Sequence, residues 1–580
     1  MAIHTLQMVN SYQMDVKSFI LQPKRFIMKR IFSTLLCFVV ALGIESTACT
    51  NLIVGPKASV DGSTIVSYAA DSYYMYGWLY HYPAATYPKD AKLPIYEWDT
   101  GKYLGSIKQA RETYNVVGNM NQYQVTIGET TFGGRPELVD STAVMDYGSL
   151  IYVALQRSKS AREAIHVMTS LVEEYGYYSS GESFTIADPT EAWIMEMIGK
   201  GPDVRGAVWV ARRVPDDCIS AHANQSRIRQ FPLDDKDNCL YASDVISFAR
   251  EKGYFNGLNK DFSFADAYAP LDFGGLRYCE ARVWSFYNRF TKRGEEFLPY
   301  IYGKDKTPMP LFIKPDRKLS VRDVQNMMRD HYEGTPLAIN EDLGAGPWKM
   351  PYRPSPLHFK VDGKEYFNER PISTQQTGFV FVAQMREDLP DPIGGVLWFG
   401  LDDANMTVFT PVYCCTNRIP KCYQENGLDL ATFSMESSFW VYNWVSNMVY
   451  PRYSLMIGDL KKVQKNLEDQ FAATQSAIET QALAYYQKDH KQAVDFLTNY
   501  TGQMASATHD TWRKLGNYLI VKYNDMVVQP TDSTGHFKYN KQGRPAAPVR
   551  PGYAESFLKE YVKATGDRYL VPQEKKEETK

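Results

Sequence analysis

The chain has 580 residues, with 64 Lys+Arg against 66 Asp+Glu, 44% hydrophobic and 22% charged residues. That composition excludes a disordered chain, and a net charge of −2 argues against a protein held to nucleic acid by a broad basic surface. Eight cysteines over this length are too few for a disulfide scaffold, while 10 Trp, 41 Tyr and 28 Phe favour a large core or aromatic-lined clefts.

The first predicted element is a targeting segment. Met28-Lys29-Arg30 precedes an apolar run over 31–44, followed by Glu45-Ser46-Thr47-Ala48 and then Cys49. A basic start, a short apolar stretch and small residues at −3 and −1 read as a secretory signal cut after Ala48. The run is too short to span a membrane comfortably, and no later stretch reaches the ~18 uncharged apolar residues a spanning helix needs. Residues 1–27 read as neither signal nor domain, which makes Met28 a credible start. The expectation is an exported protein, periplasmic or extracellular, with no stable membrane insertion after cleavage. Loss of 1–48 removes five basic and two acidic residues, leaving 59 against 64, a net −5.

Downstream, apolar runs at 50–54 and 64–70 flank Asp61-Gly62, a tight-turn signal, and predict a hairpin whose first strand begins with Cys49. Further strands are expected at 123–130, 183–187, 192–198 and 207–212. Helical periodicity covers 148–156 and 160–175, the second with Ser160 as N-cap and Glu163 completing a capping box. A capped helix is predicted at 321–331 behind Ser320, strands at 377–384, 395–400 and 407–413, and helix from about 436, broken near Pro451 and continuing from 455 to about 525. This order gives an α+β domain over 49–435, a helical C-terminal extension over 436–571 and a solvated tail over 572–580. Cys414, Cys415 and Cys422 match no zinc spacing well; a Cys415–Cys422 disulfide or plain buried thiols both fit.

The predicted cut would expose Cys49 as residue one. An N-terminal Cys carries a nucleophilic thiol and an α-amine with pKa about 7.7–8.0, which can accept the thiol proton. No His base, metal or cofactor is then needed, and no metal-site, phosphate-loop or serine-hydrolase motif is found in the sequence. Two other readings of Cys49 are a lipid anchor, for which Ser46 at −3 is a poor match, and an ordinary buried thiol.

The run Cys49-Thr50-Asn51-Leu52-Ile53-Val54-Gly55 with Ala58-Ser59-Val60-Asp61-Gly62-Ser63-Thr64 resembles the start of the C69 family of dipeptidases. Arg329-Asp330-His331-Tyr332-Glu333-Gly334-Thr335-Pro336, Glu369-Arg370-Pro371-Ile372-Ser373 and Gly394-Gly395-Val396-Leu397-Trp398 resemble the same family. The resemblance runs from Cys49 to beyond Tyr453. It implies an αββα N-terminal-nucleophile hydrolase sandwich with Cys49 opening a central strand, and dipeptides or short peptides as substrates. Related enzymes place an Arg and an Asp on the second strand; Asp71 matches the Asp and would hold the α-amine, whereas Tyr68 stands in place of the Arg. Asn224 resembles the oxyanion-hole Asn. Arg282 sits where the wider superfamily has a site Arg, to hold a substrate carboxylate or a structural ion pair. A second Asn expected near Gly128-Glu129-Thr130-Thr131 is absent, and His331 reads as a packed histidine. An amidase acting on acyl amides and a peptide-binding lipoprotein are the competing functions. No nucleic-acid partner is expected, and a homo-oligomer stays open.

Overall fold

Asp61-Gly62 turns the chain as its sequence predicts. Gly62 takes φ +80°, Asp61 Oδ1 accepts from the Ser63 backbone N–H at 3.1 Å, and β1 (Thr50–Val54) pairs antiparallel with β2 (Thr64–Asp71). The computed structural model describes residues 49–572; the signal segment, the start at Met28 and the tail beyond Pro572 lie outside the described residues.

Two antiparallel sheets carry the fold. For labelling, β3 is His81–Tyr82, β4 Val116–Val117, β5 Met120–Asn121, β6 Thr126–Gly133, β7 Gly181–Ala187, β8 Ala192–Gly199 and β9 Ala207–Arg213. Then β10 is Ile219–His222, β11 Cys239–Tyr241, β12 Thr377–Met385, β13 Val396–Leu401 and β14 Thr410–Tyr413. The first sheet runs β10-β1-β2-β12-β13-β14, the second β11-β9-β8-β7-β6-β5-β4-β3. Strands β1, β2, β12 and β13 are buried along their whole length, as expected of strands covered on both faces. The sheets meet where β6 crosses β1 and β2. Gly128 makes this closeness possible: a Cβ there would lie 2.4 Å from Asn51 Oδ1 and 3.1 Å from Tyr68 Cβ.

Helices cover both sheets. α1 (Tyr147–Leu155) and α2 (Ala161–Tyr175) pack against the second sheet through the apolar stripe Ala161, Ala164, Ile165, Met168, Leu171 and Val172. Ser160 caps α2 by accepting from the Glu163 N–H at 3.2 Å, but Glu163 reaches past Ser160 to the Lys159 N–H at 2.7 Å, so the predicted box is displaced by one residue. α3 (Ala281–Phe290) follows a π-helical turn and has no counterpart in the predicted elements. α4 (Val321–Met327) has the full Ser320–Asp323 capping box but stops short of residue 331, because Tyr332 adopts φ +65° and Asp330 turns inward to accept from Ser285 Oγ and the Tyr332 N–H.

After α5 (Ser438–Val449), the predicted single helix is two: α6 (Tyr453–Tyr486) and α7 (His490–Tyr523), with Asp489 capping α7 through the Lys491 N–H at 2.9 Å. These helices lie on the first sheet. Glu479 of α6 takes a bidentate contact from Arg386 (2.6 and 2.8 Å) and a third bond from Tyr413, and Glu468 pairs with Arg322 and Arg329. Asp402, just after β13, accepts from Asn443 and Ser446 of α5 and so ties that helix to the sheet. All seven described cysteines, Cys415 and Cys422 included, are free thiols. Among the described residues no helix is long and apolar enough to cross a membrane, and no cluster of His, Cys, Asp and Glu has the arrangement of a metal site.

Candidate active site

β1 begins at Thr50, so Cys49 sits at the strand mouth, where its backbone is fixed but its side chain is not committed to the sheet. The side chain is 2% exposed. Its thiol donates to Glu129 Oε1 at 3.3 Å and lies 3.8 Å from the Tyr68 hydroxyl, which itself donates to the same Glu129 oxygen at 2.5 Å. The Tyr68 ring is held edge-on by Phe379 and Phe381 of β12, at 5.6 and 5.7 Å between centroids. Burial, and then the negative charge of Glu129 and Asp71, push the thiol well above its ordinary range; the backbone N–H of Asp71 and the Tyr68 hydroxyl act in the opposite direction. The thiol is therefore kept protonated.

Arg282, projecting from α3, is completely buried and spends every N–H on the protein. Nη1 donates to the Cys49 carbonyl at 2.6 Å and to Thr50 Oγ1 at 2.8 Å. Nη2 donates to Asn224 Oδ1 at 3.0 Å and to the Ala223 carbonyl at 3.1 Å, and Nε to the Tyr278 carbonyl at 2.6 Å. Burial, then Arg370, lower its pKa to about 10, which leaves it charged at neutral pH. Among the described residues no carboxylate contacts the guanidinium, and all five N–H groups are engaged. The sequence suggested a substrate carboxylate or a structural ion pair for Arg282; here the guanidinium ties the Cys49 carbonyl to Asn224.

Asn224 follows β10 with φ +60°, a left-handed conformation uncommon for a non-glycine residue, and its Nδ2 donates to the Thr131 carbonyl at 2.7 Å. Asp71 closes β2, buried, accepting from Arg370 Nη2 and Thr377 Oγ1, both at 2.6 Å. Burial raises its pKa, and Arg370 and Thr377 pull it back. Cys49, Tyr68, Asp71, Asn224 and Arg282 are thus brought into one site. Thr130 is not aimed at Cys49: its hydroxyl meets His222 Nδ1 at 2.7 Å. His331 is buried, bonded to Glu333 at 2.9 Å and packed edge-on against Tyr352. Near the end of β2, Tyr76 and Trp78 are packed in a ladder with Tyr80, Trp98 and Tyr152, while Tyr74 is exposed.

The residue that sequence reading missed is Glu129. Its only signal was an acid inside an otherwise uncharged strand, Thr126-Ile127-Gly128-Glu129-Thr130-Thr131, a position that burial makes costly.

A sequence profile described as Peptidase family C69 matches residues 48–77 and 74–466, which spans Cys49, both sheets and the start of α6. The chain belongs to peptidase family C69. This C69 chain is similar to a "Probable dipeptidase" of Latilactobacillus sakei, 25% identical over 487 residues, covering 80% of this chain and 93% of that protein. A "Probable dipeptidase" of Salmonella dublin is 28% identical over 386 residues, covering 63% of this chain and 81% of that protein. "Dipeptidase A" of Lactobacillus helveticus is 24% identical over 459 residues, covering 74% and 85%. As a C69 peptidase the chain is a hydrolase, and the arrangement around Cys49 is the place in it where a thiol, a fixed carbonyl and an amide side chain converge.

Proposed function

We propose that this peptidase is an exported dipeptidase that hydrolyses dipeptides or short peptides with Cys49 as an N-terminal nucleophile, on an αββα sandwich over 49–435 with 436–571 as a helical extension. The observation that carries the reading is the convergence on Cys49 at the mouth of β1, where one guanidinium holds both its carbonyl and Asn224. The names of the relatives support the substrate class.

Cleavage after Ala48 converts the nitrogen of residue 49 from an amide into an amine, which then takes the thiol proton. The Sγ–carbon bond forms at the substrate carbonyl. Asn224 Nδ2 and a backbone N–H receive the charge on oxygen. The C–N bond breaks, the leaving amine takes the proton from the Cys49 ammonium, and a thioester remains. Water attacks that carbon, its proton passes through the same amine, and the acid departs as Sγ regains a proton. Asp71 is assigned to orienting the amine, Tyr68 to fixing the acid beside the thiol, and Arg282 to positioning.

The test is Cys49→Ala in the processed protein with a panel of dipeptides and acyl-amino acids. The variant should fold as wild type and hydrolyse nothing; turnover in it would overturn the mechanism. Wild-type preference for acyl-amino acids would move the enzyme to the amidases. Intact mass and N-terminal sequencing of the exported protein test the cut after Ala48.

A further inference from the structure

Beside the nucleophile lie three acids that the amine-assisted reaction does not use. Thr131 of β6 faces Glu182 of β7 in register and donates to its Oε1 at 2.6 Å; Glu129, two residues earlier on β6, points to the same face. Oε2 of Glu129 and Oε2 of Glu182 are buried and meet no donor from a third residue; the two carboxyls hydrogen-bond to each other through the proton on Glu182. Asp99 accepts from Tyr147 at 3.0 Å and adds its field to both. Burial raises both glutamates, Glu182 the more, so Glu182 keeps its proton and Glu129 bears the charge. Among the described residues no Lys, Arg or His neutralises any of the three. A buried anion with no cation is costly, and its position indicates where a cation is to come from.

Glu129 Oε1 is 3.3 Å from Cys49 Sγ. In a peptide substrate the α-nitrogen is two bonds from the carbonyl carbon, about 2.5 Å away. When Sγ approaches that carbon to about 3–3.5 Å, the α-nitrogen of the residue that carries this carbonyl comes within reach of the Glu129 carboxylate. We propose that Glu129, backed by Glu182 and Asp99, binds the free α-ammonium of the substrate's first residue, so that the enzyme cuts the first peptide bond of unblocked peptides. This rests on Cys49 being the nucleophile. It has a second consequence: an ammonium on Glu129 offsets one of the charges that, after burial, raise the thiol, so an unblocked substrate eases the ionisation of its own attacker.

The experiment compares Ala-Ala, N-acetyl-Ala-Ala and propionyl-Ala, which lacks only the amine, on the processed enzyme. The expected result is that Ala-Ala exceeds both others in kcat/KM by about 10²-fold or more. Glu129→Gln should collapse that ratio toward unity, chiefly by raising KM for Ala-Ala. Equal hydrolysis of all three overturns the assignment and leaves the peptidase reading intact; it is also the result expected if the Cys49 amine itself is the cation on Glu129. Hydrolysis of none removes the Cys49 reading and this inference with it. Should Glu129→Gln fail to fold, inhibition of the wild-type enzyme by alaninol against N-acetylalaninol reads the same contact: inhibition by the amine alone supports it, and equal inhibition overturns it.

Discussion

Arg282 Nη1 is 2.6 Å from the carbonyl oxygen of Cys49, so the residue read as the nucleophile is held by a guanidinium from a helix 233 positions away in sequence. The other arm of the same fork orients Asn224. Arg282→Lys keeps the charge and loses the fork. We expect kcat to fall by about 10²-fold with KM little changed, because a small misplacement of reacting groups costs rate more than binding. Steady-state kinetics on a dipeptide, with a denaturant melt to verify folding, checks this; wild-type kcat would remove Arg282 from the positioning role.

Gly128→Ala places a Cβ 2.4 Å from Asn51 Oδ1, inside the contact of the two sheets. The sheets must separate or Asn51 must release the Glu129 carbonyl, which it now holds at 2.6 Å. A cost of about 1–3 kcal/mol in unfolding free energy is expected, with loss of activity larger than the loss of folded protein. Parallel measurement of the denaturation midpoint and kcat separates the two.

His222 lies fully buried between Thr130 and Thr185, with 2.7 Å to each hydroxyl. Burial, then Arg227, lower its pKa from 6.5 to about 3, so it is neutral in the fold. A base with a depressed folded pKa stabilises above its unfolded pKa and loses that contribution as pH falls. Stability should therefore decline between about pH 6.5 and about pH 3, by up to about 1.4 kcal/mol per unit from this group. His222→Gln should flatten that component while costing about 1–3 kcal/mol at neutral pH. Unfolding curves across this pH range decide it, and an unchanged slope would refute it.

The Arg386–Glu479 pair is bidentate and about 10% exposed on each side. Glu479→Ala leaves Arg386 buried without its counter-charge, and a loss of about 3–5 kcal/mol is expected. Arg386→Met with Glu479→Leu should recover most of it, since the cost lies in the stranded charge. Chemical denaturation of the single and double variants tests both statements.

Much of the fold could be read in the chain because the reading used local signals. Asp61-Gly62 marked the hairpin, the apolar stripe marked α2, and Ser320 marked the start of α4. Elements without such punctuation escaped: α3 is amphipathic but opens from a π-helical turn, and α6 and α7 separate at 487–489 with no Gly or Pro. In the site, the Cys49 thiol was visible because the predicted cut would give it a chemistry that no internal cysteine has. Glu129 was not, since its importance comes from the crossing of β6 over β2, a relation between residues 61 apart. Arg282 was found by likeness, but its donor geometry belongs to tertiary structure alone.

The C69 profile ends at residue 466, just before the acids that complete the charge balance of the sheet beneath it. Glu468 and Glu479 of α6 neutralise Arg322, Arg329 and Arg386. A chain stopped at residue 466 would leave these three guanidiniums without the two glutamates that answer them. The packed charges of this peptidase therefore run past the stretch that the family profile matches.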